Sequence, residues 1–178
     1  MNMSDSSFPA LPGIYRLVFL HLEPLSTFIP VLSVWIAPGI NWFYQEQIPS
    51  NAPIPISLDD RTRMIISQLV NCYLLLGLLS SIVFRAVRST LPNNPSAQER
   101  LIGASLLALA IADVTHVLAT FFGLPEQLRY TPQNWNGMTH GNITITTLLF
   151  FTRVAWFLGI GRARFYFGQT ENQRVKSS

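Results

Sequence analysis

The stretch MIISQLVNCYLLLGLLSSIVF, residues 64–84, decides the fold. It carries no charged side chain over a length that matches the roughly 20 apolar residues a helix needs to cross hydrocarbon. It therefore reads as a transmembrane helix. Three further runs have the same character, about Ile14 to Ala37, Leu101 to Phe122 and Asn142 to Gly161. Composition agrees: 49% of the 178 residues are hydrophobic and 12% charged, against about 25% charged in a soluble domain. That leaves too little polar surface to cover a globule. The sequence predicts an all-α integral membrane bundle of four transmembrane helices, one domain over residues 1–178, with a polar C-terminal tail from 170 to 178.

Several function classes drop out. Twelve Lys plus Arg against nine Asp plus Glu give +3, too small and scattered an excess for a nucleic-acid platform. The single cysteine, Cys72, rules out an internal disulfide and a cysteine metal cluster. No zinc spacing, nucleophile elbow, P-loop or dinucleotide fingerprint occurs, so no metal or organic cofactor is expected.

Breakers and caps set the boundaries. Pro38-Gly39 ends the first helix, Pro49, Pro53 and Pro55 keep the longest loop extended, and Gly159-Ile160-Gly161 marks a helix end. Ser57 with Asp60 and Ser96 with Glu99 have the capping-box spacing that would start the second and third helices. The first span lacks a basic leader, and Glu23-Pro24 interrupts its apolar run, so it reads as a retained span and not as a signal peptide. Arg16, Arg85, Arg88, Arg100, Arg162, Arg164, Arg174 and Lys176 fall on one side of the four-span arrangement, against Arg61, Arg63 and Arg129 on the other. Positive charge accumulates on the cytosolic side, which predicts both termini in the cytosol. The sequon Asn142-Ile143-Thr144 abuts the membrane, where a glycan has little room.

Charged side chains inside the spans need a reason, because each costs about 2.5 to 3.5 kcal/mol at mid-span on insertion scales. With a rise of about 1.5 Å per residue, Glu23, Asp113 and Arg153 all fall within a turn or two of the midplane. Gln68 and Asn71 enter from the second helix, and His116 lies one turn beyond Asp113 on the same face. A permanent cation at Arg153 must pair with Glu23 or Asp113, and the count leaves the other acid without a cation. That acid would keep its proton, since burial disfavours the charged form, and a proton held beside His116 could serve general acid catalysis. The plainer reading is that these groups hold the bundle together by interhelical hydrogen bonds. Trp35, Trp42, Phe43, Tyr44, Tyr130 and Trp135 gather on the opposite side from the positive charges, either as an interfacial belt or, for some, as π faces at a pocket mouth.

Glu23-Pro24-Leu25-Ser26, Gln68-Leu69-Val70-Asn71-Cys72-Tyr73, Asp113-Val114-Thr115-His116, Trp135-Asn136 with Gly141-Asn142, and Arg153 followed by Gly159-Ile160-Gly161-Arg162 together resemble a fungal family of small four-span membrane proteins known as a domain of unknown function. The resemblance runs from about residue 12 to 162. Some members carry a carboxylate late in the second span, where this chain has Ser80 and Ser81. A looser similarity in arrangement links the chain to the integral-membrane terpene cyclases of fungal meroterpenoid pathways, whose intramembrane carboxylates protonate an epoxide or alkene. Another links it to the emopamil-binding group of sterol isomerases and binding proteins.

These similarities imply a membrane-embedded cyclase or isomerase that acts by acid-base chemistry on a lipophilic, prenylated substrate. Asp113 would be the acid, His116 its assistant and Glu23 the base or counter-charge. Asn71, Arg153, Gln68, Trp42, Tyr44 and Trp135 would contact or orient the substrate. The alternative is a non-catalytic lipid-binding or scaffold protein. Either reading places the chain in the endoplasmic reticulum membrane among lipids, in a form that could be a homo-oligomer.

Overall fold

A computed structural model describes residues 8–167; the tail at 170–178 lies outside the described residues. Four long apolar helices carry the fold. They are α1, Gly13–Trp35, α3, Asp60–Thr90, α4, Pro95–Gly123, and α6, Gly137–Leu158. Short helices α2, Ile40–Glu46, and α5, Glu126–Arg129, lie in the connections. By length and hydropathy the chain is a four-span membrane bundle. Its surface agrees: Ile29, Leu75, Leu79, Ile82, Leu107, Ile111, Leu118 and Phe151 are exposed, while Glu23, Gln98, Glu99, Asp113 and Arg153 are buried. An apolar exterior around a polar interior is the arrangement a hydrocarbon solvent favours, since polar groups must be satisfied inside the protein.

The helices outrun the apolar runs at several ends, and local hydrogen bonds explain why. Asp59, not the Ser57 capping box, starts α3: its carboxylate accepts from Arg61 N at 3.0 Å and Thr62 N at 3.1 Å. The Thr62 hydroxyl and amide hold the Asp59 carboxyl below the usual range. Asn94 starts α4 by accepting from Ala97 N at 2.9 Å, so the Ser96 capping box does not form. Asn136 does the same for α6 by accepting from Thr139 N, which begins that helix at Gly137 instead of near Asn142. The far ends of the first and last spans fall close to expectation, whereas the second runs on from Phe84 to Thr90. α1 stops at Trp35 ahead of Pro38-Gly39, and α6 ends on Gly159, whose φ of +76° is the left-handed conformation glycine adopts without steric cost.

Two helices contain π turns, Val18–Leu22 in α1 and Gly141–Ile145 in α6. Pro24 follows the first of these; it lacks the N–H that would bond back to the preceding turn. In the next turn Ser26 Oγ donates to the Glu23 carbonyl at 2.7 Å and Thr27 Oγ1 to the Pro24 carbonyl at 2.8 Å.

α1 packs along α3, and α4 along α6. A Cβ at Gly77 would lie 2.5 Å from Thr27 Oγ1, so glycine there permits the close approach of α1 and α3. One core cluster, including Phe8, Leu11, Phe19, Phe84, Leu106 and Trp156, closes one end of the bundle. A smaller one, Val31, Phe43, Ile66 and Val70, lies toward the other end. The space between the helix pairs, between these clusters, remains open.

A buried anchor closes the chain beyond α6. Glu99 on α4 is fully buried and accepts from Arg162 Nη2 at 2.9 Å, from Tyr166 N at 2.9 Å, from Phe167 N at 3.3 Å and from Phe165 N. Arg162 stacks over the Trp156 ring, 3.9 Å from its centroid. The residue expected to complete a capping box instead turns inward and fastens residues 162–167. Replacing Glu99 by Gln keeps its size but turns one acceptor oxygen into a donor facing N–H groups. The expected cost is about 1.5 to 3 kcal/mol, the range for hydrogen bonds to a charged group. It should appear as a lower unfolding midpoint in detergent; an unchanged midpoint would contradict the anchor.

Candidate functional site

Arg153 on α6 is 1% exposed and grips both acids. Its Nη2 lies 2.6 Å from Glu23 Oε1 on α1, and its Nη1 lies 2.5 Å from Asp113 Oδ2 on α4. The expected choice between the two carboxylates is resolved by the guanidinium fork, which presents separate donors to separate partners. Three helices are thereby tied at one point. The Phe19 ring packs beside the guanidinium, 5.4 Å from centroid to Cζ. Two atoms of the triad, Glu23 Oε2 and Arg153 Nε, are buried without a hydrogen-bond partner among the described residues. Charge is likewise unbalanced: two carboxylates share one guanidinium, so either the site holds one proton or it carries one net negative charge.

The triad forms part of the wall of a cavity of about 810 Å³ between α1, α3, α4 and α6. Its size falls within the range of about 300 to 1,000 Å³ for small-molecule sites. Apolar walls come from Ile29, Pro30, Leu76, Leu109, Ile145 and Leu149, and hydroxyls from Ser26, Thr27, Ser33, Ser80 and Thr146. Trp42 and Glu46 of α2 and Met138 of α6 line the end remote from the triad. Ten residues of α1 separate Glu23 from Ser33, so the cavity runs roughly 15 Å along the bundle at about 1.5 Å per residue. Glu23 and Asp113 are 6% and 8% exposed. Asp113 keeps 10% of its side chain accessible.

Of the residues singled out in the sequence, Glu23, Asp113, His116, Arg153 and Trp42 line this cavity. The other four do not. Gln68 and Asn71 stand on an exposed face of α3, because the buried stripe of that helix runs through Ile66, Val70, Gly77 and Ser80. Tyr44 is 44% exposed, pointing away while its neighbour Phe43 is buried. Trp135 donates from Nε1 to the Leu128 carbonyl at 2.7 Å and packs edge-on against His140, a role within its loop. His116 shares the cavity with Asp113, but no hydrogen bond joins them among the described residues.

Glu46 and Thr146, which the sequence did not single out, also line the cavity, as do Tyr73, Ser80 and Asn142, which it quoted without assigning them to the site. Glu46 accepts from Asn136 Nδ2 through both its carbonyl and Oε2, at 2.8 and 3.1 Å, tying α2 to the start of α6. The Asn142 of the sequon is half-buried in the wall of the pocket.

Fold and site together define an integral membrane helical bundle with a carboxylate–guanidinium–carboxylate triad beside a partly open pocket between the helices. The chain belongs to the family described as "Domain of unknown function (DUF7704)", whose family model matches residues 8–163. Neither a curated protein nor a solved structure matches it.

Proposed function

We propose that this protein is a membrane-embedded cyclase or isomerase acting by acid-base chemistry on a lipophilic, prenylated substrate of the meroterpenoid type, possessing an epoxide or alkene to protonate. The observation that carries the reading is the triad: two buried acids share one fixed cation, so that one of them can hold a proton, at the wall of a largely apolar pocket among the spans. With the proton on Asp113, Arg153 and Glu23 form an ionised pair. Transfer of that proton to the substrate leaves an Asp113 carboxylate beside Arg153 Nη1. The guanidinium stabilises this product of the transfer, as preorganised charge does in catalysis. The substrate, now cationic, lies against a site with one net negative charge. Ring closure or bond migration follows, and His116 takes the proton that the final cation loses before Asp113 is recharged. Glu23 acts through Arg153 as counter-charge. The chemistry uses groups of this chain alone.

A second reading is favoured by one feature. Arg153 already occupies both carboxylates, an arrangement that serves a static network equally well, and the cavity would then hold a lipid or sterol without turnover. Microsomes containing the protein, given epoxidised prenyl-aromatic substrates, distinguish the two. Protein-dependent cyclised product supports the enzyme; copurification of an unchanged sterol or prenyl lipid with no turnover supports the binding protein.

The reading includes an orientation with both termini in the cytosol of an endoplasmic reticulum membrane, supported by the excess of positive charge at one end. Tags at either terminus should be labelled in intact microsomes, and a tag near Asn51 should be protected. Labelling at Asn51 would reverse the orientation.

A further inference from the structure

α3 turns Ile66, Val70, Gly77 and Ser80 toward the bundle. Gln68 stands two residues from both Ile66 and Val70, so at about 100° per residue it points roughly 160° away from each. Asn71 lies about one turn further along the same outer side, and both residues are exposed. No hydrogen bond within the chain reaches either side-chain amide among the described residues. Depth makes this costly. The uncharged run 64–84 has its midpoint at residue 74, which puts Asn71 about 4.5 Å and Gln68 about 9 Å from the middle of a hydrocarbon layer about 30 Å thick. Lipid tails offer an amide no partner at that depth.

The two amides belong to a continuous seam. Met64, Gln68, Asn71, Leu75, Leu78 and Ile82 are all exposed, and they recur at alternating steps of four and three residues, the spacing with which one helix packs along another in a left-handed pair. The chemistry of the seam fits a second copy of this chain. It carries no charge from Met64 to Ile82, so two copies do not repel. Each carboxamide holds donors and an acceptor, so identical amides satisfy one another across a two-fold axis, as an isologous contact requires. Copies inserted in one membrane share an orientation, so the two α3 helices run parallel and each amide meets its counterpart at the same depth. Interhelical bonds of this kind hold membrane helices together.

We propose that the outer face of α3 is a homodimer interface, in which Gln68 and Asn71 pair with the same residues of a second copy inside the membrane. The interface lies on the side of α3 away from the triad cavity and does not depend on the function proposed for it. For the test, the full chain with a fluorophore at its N-terminus is reconstituted in phosphatidylcholine vesicles at a series of protein-to-lipid ratios, and subunits are counted by single-molecule photobleaching. Wild type should bleach in two steps and give way to one step on dilution. Gln68→Leu and Asn71→Leu should each raise the dimer Kd by about threefold to thirtyfold, and Asn71→Gln, which keeps an amide, should raise it less. Both positions face outward, so the variants should keep a single unaggregated peak in detergent. In a Cys72→Ser background, which removes the exposed native thiol, Leu75→Cys should form an intermolecular disulfide under mild oxidation, whereas Ile111→Cys on the exposed face of α4 should not. One-step bleaching of wild type at every ratio, an unweakened dimer in the double variant Gln68→Leu/Asn71→Leu, or crosslinking at Ile111 in preference to Leu75 overturns the proposal. So does a Leu75→Cys crosslink formed in microsomes only to a different protein, which would give this face to another partner.

Discussion

Arg153→Leu is expected to yield little folded protein. The leucine fills part of the volume but leaves Glu23 and Asp113, both over nine-tenths buried, facing each other without the cation that each contacts within 2.6 Å. Removing one partner of a buried ion pair costs about 3 to 5 kcal/mol, and here one substitution strands two carboxylates. Domain stabilities are typically about 5 to 15 kcal/mol, so this loss is a large share of the total. Fluorescence-detected size exclusion of the detergent extract should show aggregate where wild type gives a single peak. The triple variant Glu23→Gln, Asp113→Asn, Arg153→Met removes the charges together and should restore much of the peak, because replacing a buried ion network with neutral groups is often tolerated. A well-folded Arg153→Leu protein would contradict the structural role assigned to the guanidinium.

The four spans were legible because hydrocarbon imposes a length and a composition on any helix that crosses it, and residues 64–84 meet both without a charge. Glu23, Asp113 and Arg153 were legible for the converse reason: charged groups at mid-span stand out against apolar neighbours and must find each other. Which acid the arginine would choose was not legible, since the answer depends on three helices converging within the reach of one guanidinium fork. Gln68 and Asn71 misled because polarity inside a span says nothing about azimuth; the packing of α3 on Gly77 turned them outward. Glu99 was hidden by its spacing from Ser96, which imitates a capping box, while its true partners lie more than sixty residues further along the chain.

Asp113→Asn carries the second large expectation. The amide keeps the size of the acid and one oxygen for Arg153 Nη1, so the network loses no more than altered polar pairing, about 1 to 3 kcal/mol. What it removes is the transferable proton. General acid catalysis contributes roughly 10² to 10⁴ in rate, and turnover should fall by that factor while the protein still expresses and folds, with a detergent unfolding midpoint lowered only modestly. Glu23→Gln separates the roles further. It weakens the counter-charge without touching the donor, so its loss of rate should be smaller than that of Asp113→Asn. The decisive measurement is product formation from epoxidised prenyl-aromatic substrates by microsomes carrying wild type or Asp113→Asn at matched amounts of folded protein. The account predicts cyclised product from wild type and a loss of about 10² or more in the variant; equal product formation by the two proteins would contradict it.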